Sequence, residues 1–184
     1  MIRRNNMVAR KEKILYLGVE EEKIFEKQFE ILCSTTLLPT SHEFIQHGNT
    51  SCLLHSIAVS YYSLAFITFL NMKCDKESLV VGSLLHDYFL YDWHEKDSSH
   101  RLHGFFHPKK AYMNASRDYN INYIEKDIII KHMFPLTIVP PRYKESIVVC
   151  IVDKICSLYE IFKRNPYRDL YYKWILSNED RYLN

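Results

Sequence analysis

The sequence predicts an all-α, single-domain fold over residues 1–184, and three observations carry that reading. Apolar positions recur at helical spacing almost throughout the chain. The composition, 47% hydrophobic and 14% aromatic, is ample for one core in a chain of this length. Four glycines and six prolines leave little room for the frequent turns of an all-β protein. No internal repeat, low-complexity segment or interdomain linker interrupts the pattern.

The elements follow in order. Residues 19–33 place Ile24, Phe25, Phe29 and Leu32 on one side and Glu/Lys on the other, an amphipathic helix. Pro39 and Gly48-Asn49 punctuate the next stretch. Residues 51–71 read as a long helix with Asn49 or Thr50 as its N-cap. A further helix is expected from Glu77 to about Leu90, with His86 and Asp87 in its last turns. Residues 91–106 are polar and aperiodic, the one long loop. Proline favours the first helical position, so His107-Pro108 reads as a helix start with His107 as the cap. Residues 124–134 form a helix stopped by Pro135, residues 143–163 another after Pro140-Pro141, and Pro166 begins a terminal helix through Leu176.

Histidine and aspartate recur along this helical framework: His55, the pair His86-Asp87, His107, His132 and Asp153 each sit in an otherwise apolar segment. Nitrogen and oxygen donors without thiolate suit a first-row divalent metal, and six of them exceed the needs of one tetrahedral ion, so a two-metal centre is in view. Adjacent residues on a helix project about 100° apart, so His86 and Asp87 meet at one ion only beside the end of a helix. Asp153 lies among Val148, Val149, Ile151, Val152, Ile155, Leu158 and Phe162 and, if buried, needs a compensating charge. A divalent metal provides one and keeps the carboxylate ionised. A salt bridge to Lys154 or Arg117 would serve one aspartate equally well, and a lone histidine on an apolar face is usually a hydrogen-bonded core residue. Ser56 is a candidate support for His55.

His94 and His103 are candidate proton or hydrogen-bond donors in the loop, because imidazole titrates near neutrality. Lys109, Lys110, Lys131 and Arg101 are candidate phosphate contacts, though surface lysines are usually solvated. Tyr88, Phe89, Tyr91 and Trp93 either wall a pocket or pack in the core. His42, His47 and His100 carry no argument.

The net charge of +2 and pI near 8.2 are too mild for a nucleic-acid footprint, so no nucleic-acid polymer is expected as partner. The basic start, Met1-Ile2-Arg3-Arg4, lacks a following apolar run, and residues 57–70 fall short of the ~20 residues that span a bilayer. A cytoplasmic protein without a membrane partner is expected. Five cysteines without a Cys-x-x-Cys spacing point to buried free thiols. Tyr167, Tyr171, Tyr172 and Trp174 fit either helix packing or a dimer face, leaving the oligomeric state open.

The segments "LLHSIAVSYYSLAF", "GSLLHDYFLYDWH", "HGFFHPKKAY", "IIIKHMFPLT" and "VVCIVDKICSLYE" resemble the corresponding stretches of small bacterial HD-domain proteins. The order His55, His86-Asp87, His107, His132, Asp153 is similar to that of the dinuclear branches of this superfamily, and the likeness covers about residues 45–160. It implies a helical metal-dependent phosphohydrolase acting on a small phosphorylated substrate, with a nucleotide among the candidates. By the same likeness, His55, His86, Asp87 and Asp153 hold the principal divalent metal (Fe, Mn, Ni, Co or Zn). His107 and His132 hold a second, while Asp87 bridges and lies close to the attacking water. Di-iron oxygenases of the superfamily share the order, so that chemistry is an alternative. A non-catalytic metal-bound sensor or binding domain is the third reading.

Overall fold

The computed structural model describes residues 16–94 and 103–182, and most of these are helical. The principal helices are α1 (Val19–Thr35), α2 (Cys52–Phe69), α3 (Lys76–Leu84), α4 (His103–Asp118), α5 (Tyr123–Lys131) and α6 (Lys144–Phe162), followed by the short α7 (Arg168–Leu170) and α8 (Glu179–Tyr182). The all-α expectation holds, with one small addition. β1 (Ile45–His47) and β2 (Thr50–Ser51) form an antiparallel hairpin, turned by Gly48 at φ +56°.

α2 is the central helix, packed against α3 and α6, with α5 against both of these and α1 against α3. It is long and apolar enough to cross a membrane, yet 78% of it is buried inside the protein, as befits a core helix. Phe25, Phe29 and Leu32 of α1 enter the same core as Leu53, Ile57 and Leu64 of α2. The Trp174 ring closes one end, 4.6 Å from Phe25 and 5.7 Å from Phe29, so packing accounts for that aromatic. The five cysteines are free thiols, four of them buried and Cys74 partly so.

Five boundaries differ from the sequence reading, and the first three have a local reason. α2 is capped by Ser51, whose Oγ accepts from the Leu54 amide, one residue beyond Thr50, so the strand β2 runs directly into the helix. α3 stops at Leu84, and a tight turn from Leu85 to Leu90 (φ +58°) follows. Asn114 Nδ2 donates to the carbonyls of Tyr88 and Phe89, and the Tyr88 hydroxyl joins the Leu37 amide to Asp118, so the turn's polar groups are satisfied away from a helix. α4 begins at His103, not at Pro108, which lies inside it. Buried His107, Ala111 and Ala115 recur at helical spacing on its inner face, and proline in the early turns removes a single amide donor. The expected terminal helix is broken into α7, a π-helical turn (Tyr171–Ile175), a 3-10 turn (Leu176–Asn178) and α8. The helices expected over 124–134 and 143–163 are α5 and α6, and α5 ends three residues early, at Lys131.

Candidate metal centre

Five segments converge on one buried point. His55 comes from the first turn of α2, His86 and Asp87 from the turn after α3, His107 from α4, His132 from the C-cap of α5 and Asp153 from the middle of α6. All six are buried. Leaving the helix frees the adjacent His86 and Asp87 from the 100° separation, and His86 Nε2 comes within 3.3 Å of Asp87 Oδ2.

The two oxygens of Asp87 face different neighbours. Oδ2 looks toward His86 Nε2 and toward His55 Nε2 at 3.7 Å, and it accepts a 2.6 Å hydrogen bond from Gln46 Nε2. Oδ1 looks toward His107 Nε2 at 3.1 Å and His132 Nε2 at 3.5 Å, while these two nitrogens lie 2.8 Å apart. Asp153 Oδ1 closes the first side, 3.2 Å from His55 Nε2 and 3.7 Å from His86 Nε2. The groups His55, His86, Asp153 and His86, Asp87, His132 are each compact enough to hold a metal ion.

The outer nitrogens fix which way the rings present themselves. His86 Nδ1 donates to the Ser83 carbonyl at 2.7 Å, His132 Nδ1 to the Ile129 carbonyl at 2.8 Å, and His55 Nδ1 meets the Glu160 carboxylate at 2.8 Å. In neutral imidazoles this arrangement leaves Nε2 as a bare lone pair directed at the centre. His86 Nε2 is buried and has no hydrogen-bond partner among the described residues. Lone pairs facing carboxylates among buried side chains require a cation or added protons. The donor set, imidazole nitrogen and carboxylate oxygen, fits a divalent transition metal.

The protonation preferences express the same crowding. Burial opposes a charge on His86, but the nearby carboxylates of Asp87 and Asp153 outweigh it and push the imidazole up to about 9. His55 is raised well above its ordinary value against a similar burial cost, by Glu160 and Asp153. Asp87 and Asp153 are held below the usual carboxylate range by the histidines around them, despite burial. His132 is lowered, first by burial and further by the neighbouring His107 and His86.

No protein-family model, curated protein or solved structure matches the chain. The centre therefore stands on its geometry.

Beside it lies a cavity of about 960 Å³, lined by Asp87, His107, His132 and Asp153 on one side and Trp93, Met133, Pro135 and Leu136 on another. Of the aromatic run, Tyr88 and Phe89 are core residues and Trp93 is the wall. His94 is exposed next to Trp93, its ring centroid 3.9 Å away and its Nδ1 3.1 Å from Asp92 Oδ1. The His103 side chain, His100 and Arg101 lie outside the described residues. Lys109 and Lys110 are exposed and Lys131 pairs with Asp127, whereas Lys154 lines the cavity. The salt-bridge alternatives for Asp153 do not occur: Arg117 pairs with Asp118, and Lys154 Nζ donates to the carbonyls of His132 and Cys150.

Three residues of the site were not singled out from sequence. Glu160, not Ser56, meets His55 Nδ1, and its signal was present, since it lies two turns after Asp153 on the same face of α6. His47, with its ring 5.8 Å from that of His55, lines the cavity from the hairpin, and burial lowers its basicity. Gln46, beside it, carries no sequence signal for its bond to Asp87.

Proposed function

We propose that the protein is a metal-dependent phosphohydrolase of the kind the HD-domain resemblance implies, acting on a small phosphate ester. The observation that carries this reading is the division of Asp87 between two sets of imidazole nitrogens, His55 and His86 at one oxygen and His107 and His132 at the other. In this reading His55, His86, Asp87 and Asp153 hold one divalent ion, and His107 and His132 hold a second with Asp87 between them. Bound metal supplies Lewis acidity toward a phosphoryl oxygen and lowers the pKa of water toward neutrality.

The chain's own groups do the rest. Gln46 fixes the Asp87 carboxylate, and Glu160 and the carbonyls of Ser83 and Ile129 fix the imidazoles. The apolar wall of Trp93, Met133 and Leu136 receives the uncharged part of the ester, a nucleotide base being one candidate. His94 and His103, the second at the start of α4, are proposed as proton donors to the leaving oxygen, since both lie in the stretch of chain that joins Asp87 to His107.

The test is elemental analysis of the purified protein with phosphate release from a panel of mononucleotides, dinucleotides and sugar phosphates under Fe, Mn, Co, Ni and Zn. Bound metal and metal-dependent phosphate release are expected. Asp153→Asn should abolish both, while His94→Ala and His103→Ala should slow release with metal retained. Absence of metal, with no release under any ion, overturns the reading. Dioxygen consumption coupled to substrate loss assigns the centre to di-iron oxygenation, and tight metal without turnover on any ester assigns it to a sensor or binding domain.

A further inference from the structure

α6 presents two unlike faces. Asp153 and Glu160 point inward to the metal centre, whereas Ile147, Ile151, Ile155, Leu158 and Phe162 follow one another at helical spacing on the opposite side. All five are exposed, from 46% at Ile147 to 84% at Phe162. Phe66 and the 73%-exposed Phe69 of the adjoining α2 extend the surface, and Phe66 lines a common cavity with Ile155. Arg168, Asp169 and Lys173 flank the cavity that Phe66 shares with Ile155, and Lys154 Nζ is engaged by the carbonyls of His132 and Cys150.

At ~200 Å² for a fully exposed side chain of this size, the exposures of the seven apolar residues correspond to roughly 800 Å², above the ~300–600 Å² of the largest patch on a typical monomer and close to the ~800 Å² each partner buries in a standard interface. We propose that this face is the interface of a two-fold homodimer in which α6 packs antiparallel on α6 of a second copy.

A straight row of aliphatic side chains is complementary to itself. Turned about a two-fold axis near Lys154 and Ile155, Ile151 lies against Leu158 of the partner subunit and Ile147 against Phe162 of the partner subunit. The antiparallel pairing also sets opposite ends of the two helix dipoles together, and such closed two-fold contacts are the commonest in homo-oligomers. A net charge of +2 opposes self-association little. A membrane surface fits less well, because an interfacial helix sets a Lys/Arg-rich face opposite its apolar one. The opposite face of α6 is instead buried in the protein.

Light scattering after size exclusion, with sedimentation velocity at micromolar concentrations, tests the proposal on the full chain. Wild type should run at twice the 22.1 kDa monomer mass. Ile151→Glu and Leu158→Glu should each weaken the dimer by at least about a hundredfold, because each site occurs twice in a two-fold interface and buries an unpaired charge. Far-UV circular dichroism and metal content should stay at wild-type levels. Phe162→Glu at the exposed end of the row serves if either variant misfolds. Combining Ile151→Glu with Leu158→Lys in one chain pairs opposite charges across the interface and should restore the dimer, an outcome specific to the antiparallel register. A monomeric wild type, or a dimer indifferent to all three glutamates, overturns the proposal. Monomers that bind phosphatidylglycerol vesicles and lose that binding with Ile151→Glu would overturn it in favour of a membrane surface.

Discussion

His55 is held at both ends of its ring: Nε2 faces Asp153 and Asp87 while Nδ1 sits between the two oxygens of Glu160. The Glu160 side chain is completely buried, so its charge is balanced at that imidazole. This carboxylate–imidazole couple sets ring orientation and raises the basicity of the inward nitrogen. Glu160→Gln is therefore expected to lower metal affinity about 10–100-fold at unchanged stoichiometry, the usual cost of an outer partner. His107→Ala and His132→Ala should behave differently and remove about one equivalent of metal, as for a ligand of the second position in a two-metal site. Titration with a competing chelator separates the two behaviours, and identical responses from Glu160→Gln and His107→Ala would sink the distinction. The inward residues were legible in sequence because each is a polar group stranded in an apolar helical segment. Glu160 was legible only by counting two turns along α6 from Asp153, and Gln46 not at all, since a three-residue strand carries too little periodicity to orient it.

At the scale of elements, the helices were read correctly wherever apolar spacing ran long, as in α1, α2 and α6, and their ends were misplaced wherever tertiary contacts supply the caps. The end of α3 is the clearest case, because Asn114 from α4 satisfies carbonyls that a longer helix would have used internally. α5 shows local capping instead. Asn122 accepts from the amides of Ile124 and Glu125, and the Glu125 carboxylate accepts from the Asn122 amide, a complete capping box. Burial, reinforced by Asp75 and only partly offset by the Asn122 amide, pushes Glu125 up to about 7 from an ordinary 4.5. The sign follows from linkage: a raised carboxyl contributes stability that is fully present below 4.5 and is lost as pH rises through about 7. Glu125→Gln keeps an acceptor oxygen for the cap but carries no charge to desolvate. Its melting temperature relative to wild type should therefore rise from acid to pH 8, and a constant difference across that window would sink the assignment.

At the scale of the whole molecule, the centre ties α2, the turn after α3, α4, α5 and α6 to one point, although these segments span residues 52–162. An ion held there binds only the folded chain and stabilises it by mass action, by about 4.1 kcal/mol at a thousandfold excess over its dissociation constant. For a chain of this size each kcal/mol moves the melting temperature by about 2–4 °C, so chelation should lower it by roughly 8–16 °C. The metal-free protein should nonetheless remain helical below that temperature. Asp87 and Asp153 face His55 and His86, whose protonation is favoured there, so the carboxylates keep partners when the ion leaves. Differential scanning calorimetry with chelator, then with metal restored, reads the shift directly, and Asp153→Asn should show almost none. A melting temperature indifferent to chelator in protein that demonstrably held metal would mean that the ion sits elsewhere than at the point where the five segments meet.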